Sequence, residues 1–284
     1  MAFYLLGLSI LLAFFPCKTP IIQIPLWCLA CFTAVISGYL DKVVDIQGVL
    51  IVLVYSGILF GSLTLQQIWL RRVTVCLFGA VSLALAMHLL PGFYNSAVVV
   101  EQTVSADAIP FSLYANFDKG LAGLFLLGYF FSGQARVDYF YNQQKPKETL
   151  VLVIFTLFFA LGLALLLGLI QLDFKVPSFW LSFLAINLLF TCVAEEAFFR
   201  GFLQRELSNW LEGRFSLLIA PIFSALIFGL AHIAGGVEYV FVAGVAGLGY
   251  GYLFHRTKRI EWSILCHFAL NITHFFLFTY PMIA

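Results

Sequence analysis

Charged side chains are scarce in this chain of 284 residues, of which only 10% are Asp, Glu, Lys or Arg. Soluble domains contain about 25% of these residues. Hydrophobic residues make up 62% of the chain, so a water-soluble globule of this size would expose more apolar surface than solubility allows. The composition therefore excludes a disordered chain, a disulfide scaffold and an ordinary soluble enzyme. It predicts an integral membrane protein embedded in a lipid bilayer.

A strong charge of one sign is also missing, because the formal net charge is only +1. Without a basic surface, nucleic acid is not expected as a partner. Cys28 and Cys31 form a Cys-x-x-Cys pattern inside one apolar stretch, and no second pair accompanies them. We interpret the cysteines as small packing groups. The N-terminus lacks the positively charged start of a signal peptide, so Phe3 to Phe15 is interpreted as a retained first span.

The apolar residues form continuous runs, whereas membrane β-strands show an alternating pattern. The sequence predicts an all-α fold, a polytopic transmembrane helical bundle. The first and fifth predicted segments are short against the ~20 residues that a spanning helix requires, so about eight to ten spans are expected. The segments are 2–15, 21–40, 48–66, 73–90, 120–134, 150–171, 178–198, 216–234, 237–254 and 262–281.

The basic residues predict how these segments are oriented. Of the 15 Lys and Arg residues, only Lys42, Lys119 and Lys175 fall in the even-numbered connections. The positive-inside rule then places the odd-numbered connections in the cytoplasm and both termini outside. The polar loop at 91–119, which includes Asp118, is expected to face outward. The expected location is the plasma (inner) membrane if the source is bacterial.

Polar residues inside the predicted spans are sparse before Lys175 and concentrated after it. We therefore predict an accessory helical region over residues 1–148 and a catalytic helical core over residues 149–284. The stretch 116–120, Asn-Phe-Asp-Lys-Gly, has no role that follows from the sequence.

Two adjacent carboxylates, Glu195 and Glu196, lie near the end of an apolar segment, an unfavourable position unless each has a partner. Glu196 precedes Arg200 by four residues, the favoured spacing and order for an ion pair within a helix. Glu195 points about 100° away around the helix. In the alternative interpretation, both acids reach the lipid headgroups and Arg200 is an interfacial anchor.

Two further segments carry polar groups among apolar residues. His232 ends the pattern Phe-x-x-x-His, while His267 and Asn271 lie one helical turn apart on one face. The alternative interpretation is hydrogen bonding between helices of the bundle. A carboxylate and an imidazole that share a water can act as a general base. An imidazole and an amide N–H can stabilise the oxyanion of a tetrahedral intermediate.

Together these residues can hydrolyse an acyl bond without a serine or cysteine nucleophile. The sequence contains no Ser-x-Gly elbow and no Gly-Asp or His-Glu-x-x-His pattern. At the same positions it resembles the CAAX-protease and bacteriocin-processing family of intramembrane glutamate proteases, which includes the Rce1-type prenyl-protein endopeptidases. The family pattern is Glu-Glu-x-x-x-Arg, then Phe-x-x-x-His, then His-x-x-x-Asn, and all three motifs occur here in order.

The resemblance implies a role for each motif residue. Glu195 and His232 would activate a water, His267 and Asn271 would form the oxyanion hole, and Glu196 with Arg200 would orient the first helix. The implied substrate is a membrane-anchored or lipidated protein or peptide, and the implied mechanism requires no cofactor.

Two other functions stay open at the level of the sequence. A glutamate and two histidines can bind Zn²⁺ with an open fourth position, which would make the protein a zinc-dependent membrane hydrolase. Polar residues within membrane helices also occur in proteins that are not enzymes, such as an immunity factor, a scaffold or a transporter.

Overall fold

The computed structural model describes residues 1–15, 24–132, 146–211 and 216–284. These residues are mostly helical, as predicted, and every predicted segment overlaps a helix. The helices are α1 (Ala2–Ala13), α2 (Leu26–Leu40), α3 (Ile46–Thr64), α4 (Ile68–Ala86), α5 (Phe117–Phe130), α6 (Pro146–Leu166), α7 (Trp180–Trp210), α8 (Ser216–Leu230), α9 (Val237–Thr257) and α10 (Ile260–Leu277).

Six of these helices are long and apolar enough to cross a membrane, namely α3, α4, α6, α7, α9 and α10. Shorter apolar helices occur at Ala2–Ala13, Leu26–Leu40 and Leu218–Leu230. The protein is therefore an integral membrane protein with a helical architecture. The positions of the termini and the identity of the membrane stay predictions.

The polar segment expected as a loop at 91–119 contains a two-stranded sheet, formed by β1 (Ser96–Gln102) and β2 (Phe111–Ala115). Three consecutive valines within β1 explain the strand, because β-branched side chains favour extended backbone. The connection between the strands is held near the C-terminal end of the chain. Ser105 Oγ accepts a hydrogen bond from the backbone N–H of Tyr280, and the N–H of Ile109 donates to the carbonyl of Met282.

The chain folds into two compact units. The first comprises Met1–Ser96, Tyr114–Arg136 and Leu189–Phe198. The second comprises Ala97–Leu113, Val137–Leu188 and Phe199–Ala284. The functional division at residue 148 stays a prediction, and helix α7 contributes residues to both units.

Helix α5 is almost completely buried and is the central helix of the first unit. It approaches residues 189–198 closely because it presents glycines to them. A Cβ at Gly123 would lie 2.8 Å from the Cα of Ala194, and a Cβ at Gly120 would lie 2.6 Å from the Phe190 ring. Such close backbone packing through small residues is typical of helices in membranes.

The opposite side of α5 packs through aromatic rings. Tyr55 of α3 is fully buried, and its ring stacks on Phe78 at 5.2 Å and on Phe125 at 4.6 Å between centroids. Its hydroxyl lies 2.6 Å from that of Ser82, which satisfies the polar group in the apolar core. Helices α3, α4 and α5 are thereby joined.

The first turn of α5 corrects the expected place of Asp118. Asp118 lies in a helix and not in the predicted loop, is only 2% exposed and accepts a hydrogen bond from His88 at 2.8 Å. The side of the membrane that this segment faces stays a prediction. The helix begins before residue 120 because side chains accept from its first N–H groups. Asn95 accepts from the N–H of Phe117, and Asp118 accepts from the N–H of Lys119.

In the second unit, helix α9 packs against α6, α8 and α10. Its glycines again allow close approach. A Cβ at Gly249 would lie 2.3 Å from Thr156 Cγ2 of α6. The second unit therefore surrounds α9 with helices from three parts of the chain.

The glycine contact of α5 predicts an effect of Gly123→Ala. The added methyl group would meet the Ala194 backbone, and overpacking of this kind costs about 1–3 kcal/mol of unfolding free energy. Denaturant unfolding of the purified protein in detergent measures the change. Gly57→Ala is the matched control, because a Cβ at Gly57 of α3 meets nothing within 4 Å. Equal unfolding free energies for the two variants would contradict the assigned packing.

Candidate active site

The first motif lies in an irregular part of α7. Residues Val193–Glu196 form an ordinary α-helical turn, and π-helical stretches lie on both sides of it, at Asn187–Cys192 and Ala197–Gln204. π-Helical turns are rare and are frequently found at functional sites. The two motif acids therefore stand on a short turn between two widened turns.

Glu195 forms an ion pair inside the first unit. Its Oε1 lies 2.8 Å from Nζ of Lys119, and each of the two side chains is 17% exposed. Glu196 is completely buried. The first motif acid is thus held by a cation of the protein. Sequence analysis missed Lys119 as its partner.

Arg200 has no solvent exposure, which contradicts the alternative that it is an interfacial anchor. In the second unit its Nη2 donates to the carbonyl of Gly247 at 2.8 Å. Its guanidinium carbon lies 4.6 Å from the ring centroid of Phe228 and 5.3 Å from that of Tyr250. The ring centroid of Phe199 lies 5.7 Å from the same carbon, so a carbonyl and three aromatic rings contribute to stabilising the buried charge.

The same arrangement repeats one turn further along α7. Gln204 is 2% exposed, and its Nε2 donates to the carbonyl of Gly251 at 3.0 Å. The glycines leave room for these side chains, since a Cβ at Gly247 would lie 3.1 Å from Arg200 Nη2. The two contacts fix this part of α7 against α9.

Phe228, the first residue of the second motif, lies between the two motif histidines. Its ring centroid is 4.7 Å from that of His232 and 5.7 Å from that of His267. Nδ1 of His232 lies 2.8 Å from the carbonyl oxygen of Phe228. His232 is partly exposed, whereas His267 is buried. One aromatic side chain therefore contacts both motif histidines.

The third motif is supported by two residues that the sequence analysis missed. Tyr250 stacks on His267, with centroids 4.9 Å apart and an interplanar angle of 15°. Asn187 Oδ1 accepts a hydrogen bond from Asn271 Nδ2 at 3.2 Å. Asn187 is a polar residue in an otherwise apolar segment, a signal that the sequence does contain. Tyr250 gives no such signal, because tyrosines are frequent throughout the chain.

The second unit therefore brings Arg200, His232 and His267 to the surroundings of Phe228, with Asn271 one turn beyond His267. The two motif glutamates belong to the first unit, where Lys119 contacts Glu195. The catalytic roles of the six motif residues stay predictions. Among the residues that the structure describes, no group of three or more His, Cys, Asp or Glu side chains is arranged to hold a metal ion.

Comparison with known proteins identifies the family that this region resembles. Residues 177–273 match the family model described as Rce1-like, type II CAAX prenyl endopeptidase Rce1-like. The resemblance predicted from the three motifs is confirmed. The match contains all six predicted site residues, covers less than half of the chain and begins after α6. It supports a membrane protease. No curated protein and no solved structure matches the chain.

The surroundings of Arg200 predict that Arg200→Lys destabilises the protein. An ammonium group would lose the planar contacts with the aromatic rings and the aligned hydrogen bond, and the expected loss is about 2–4 kcal/mol of unfolding free energy. Arg256→Lys is the matched control on α9, because Arg256 is 52% exposed and 3.7 Å from Glu148. It should change the stability by less than about 0.5 kcal/mol. Equal effects in a detergent unfolding assay would contradict the assigned role of Arg200.

Proposed function

We propose that the protein is an intramembrane endopeptidase that cleaves near the C-terminus of a membrane-anchored or lipidated protein. The observation that carries the proposal is the family match over residues 177–273, which contains all three motifs in the sequence of an integral membrane protein. In this proposal Glu195 and His232 activate a water molecule, and His267 with Asn271 stabilises the oxyanion.

The environment of His232 supports its role as a base. A carbonyl oxygen only accepts hydrogen bonds, so in the neutral ring that the proposed mechanism requires, the contact with Phe228 assigns the proton to Nδ1. Nε2 then carries the lone pair that can accept a proton from water. Together with an ionised Glu195 carboxylate, this nitrogen increases the nucleophilicity of the water as it attacks the peptide carbonyl.

The environment of His267 and Asn271 supports the oxyanion role. The ring of His267 is held between Tyr250 and the edge of Phe228, and the amide of Asn271 is oriented by Asn187. Donors that are already oriented need no reorganisation when negative charge develops on the substrate oxygen. Collapse of the tetrahedral intermediate then breaks the C–N bond, and the leaving amine takes the proton that the water lost.

The family description leads to a proposed substrate class, a prenylated protein with a C-terminal Cys-a-a-X sequence. A prenyl chain places the scissile bond near a membrane-embedded site. A fluorogenic, internally quenched Cys-a-a-X peptide with a farnesylated cysteine is therefore the test substrate. The same peptide without the lipid shows whether the enzyme requires prenylation.

Glu195→Gln tests the proposed mechanism. We expect at least about a 100-fold loss of kcat with a folded protein, because general-base catalysis contributes about 10²–10⁴-fold. Glu196→Gln should retain partial activity, since Glu196 has a supporting role. Glu206→Gln is the control, as it removes the same charge from the same helix outside the motif.

Mass spectrometry of membrane peptides incubated with the purified wild-type and Glu195→Gln proteins provides a second readout. Different peptide profiles would support proteolysis and reveal the cleaved bond. Identical profiles would contradict it and favour a protein without enzymatic activity, such as an immunity factor, a scaffold or a transporter.

Chelation distinguishes the proposed mechanism from a zinc-dependent one. We expect cleavage of the prenylated peptide to survive exhaustive treatment with 1,10-phenanthroline, because the proposed chemistry uses only side chains and water. Loss of activity that added Zn²⁺ restores would favour the zinc hydrolase. Treatment of Glu195→Gln in parallel controls for cleavage by contaminating proteases.

A further inference from the structure

Lys119 lies outside the region that matches the family, yet its ammonium group contacts the first motif acid. We propose that Lys119 is a positioning residue that keeps the Glu195 carboxylate ionised and fixed in orientation. The proposal rests on the proposed function of Glu195. It gives the stretch 116–120 a role in catalysis. Since this stretch lies within residues 1–148, the predicted accessory region would also contribute to catalysis.

The first argument is electrostatic. Glu195 is largely removed from solvent, and an ionised carboxylate in such a place requires a compensating charge. It also stands beside a second carboxylate, Glu196, which disfavours ionisation of both acids. An ammonium group at 2.8 Å favours the ionised form, and only this form can accept a proton from water.

The second argument concerns the place of Lys119 in α5. Lys119 lies in the first turn of this helix, where the helix dipole is positive and a cation is unfavourable. The helix terminus therefore does not account for a lysine at this position. The ion pair with Glu195 accounts for it.

The third argument is that the backbone around Lys119 is fixed on both sides. On one side, the first turn of α5 is anchored by the contact between Asp118 and His88. On the other side, Gly120 and Gly123 bring α5 against the segment that contains Glu195. Such support is expected for a side chain that must hold its partner within a narrow range of positions.

The test compares Lys119→Met with Lys119→Arg in the purified full-length protein. Lys119→Met should lower kcat on the farnesylated peptide about tenfold or more, because the carboxylate loses the charge that favours its ionised form. KM should change little, since Lys119 does not bind the substrate. Lys119→Arg keeps the charge and should restore most of kcat.

A second readout follows the protonation of Glu195 without using activity. Infrared difference spectra between each protein and its Glu195→Gln counterpart isolate the bands of this side chain. In the wild type at neutral pH we expect the bands of an ionised carboxylate. In Lys119→Met we expect the carbonyl band of a protonated acid, and in Lys119→Arg the carboxylate bands return.

Lys175→Met is the matched control for the loss of a shielded lysine. Lys175 is 12% exposed, and its Nζ lies 3.1 Å from Oδ2 of Asp173. The same ammonium group donates a hydrogen bond to the carbonyl of Phe278. Ser105 and Lys175 hold the pKa of Asp173 below its ordinary value through hydrogen bonds, so this ion pair is formed. The Lys175→Met variant should leave kcat and the infrared bands of Glu195 unchanged.

Unchanged kcat and unchanged Glu195 bands in Lys119→Met would overturn the proposal. If Lys119→Met does not fold, Lys119→Gln replaces it, with the same expected results. If the wild type cleaves nothing while the Glu195 bands still depend on Lys119, the proposed protease function is wrong, but the effect of Lys119 on the ionisation of Glu195 is supported. If the wild type cleaves and the bands do not depend on Lys119, the inference alone is wrong.

Discussion

Burial of the Arg200 guanidinium is the constraint on which the second unit depends. A charge without solvent contact destabilises a protein unless the surrounding groups compensate it. The Gly247 carbonyl and the faces of Phe228 and Tyr250 contribute to this compensation. The same two rings contact the motif histidines. Two of the rings that stabilise the cation therefore also position the two motif histidines.

The first unit follows the same principle with other residues. A charged side chain lies in an apolar environment and contacts a group of opposite charge or a polar group. Glycines allow the backbones to pack closely around this contact. Gly120 and Gly123 allow the close packing around the ion pair of Lys119 and Glu195. Gly247 likewise leaves room for the Arg200 side chain. In a bilayer, where apolar burial gives little driving force between helices, such close packing and polar contacts hold the helices together.

The sequence predicted the helices well because long apolar runs have one main structural solution in a membrane. It also identified the motif residues, whose charges stand out in apolar segments. It did not predict the pairing of Lys119 with Glu195, which are 76 positions apart and on different helices. Local spacing carries no information about such a contact. The π-helical stretches of α7 were missed for another reason, since they differ from an α-helix only by a shift of backbone hydrogen bonds.

The composition of the first unit has a consequence for biosynthesis. Its helices α1 to α5 leave the ribosome well before residues 189–198, which complete the unit. During synthesis the N-terminal part folds first, so Lys119 reaches the membrane before its counter-ion exists. Until α7 arrives, the lysine needs water or lipid headgroups as a temporary partner. Formation of the ion pair between Lys119 and Glu195 is then a late event in the maturation of the protein.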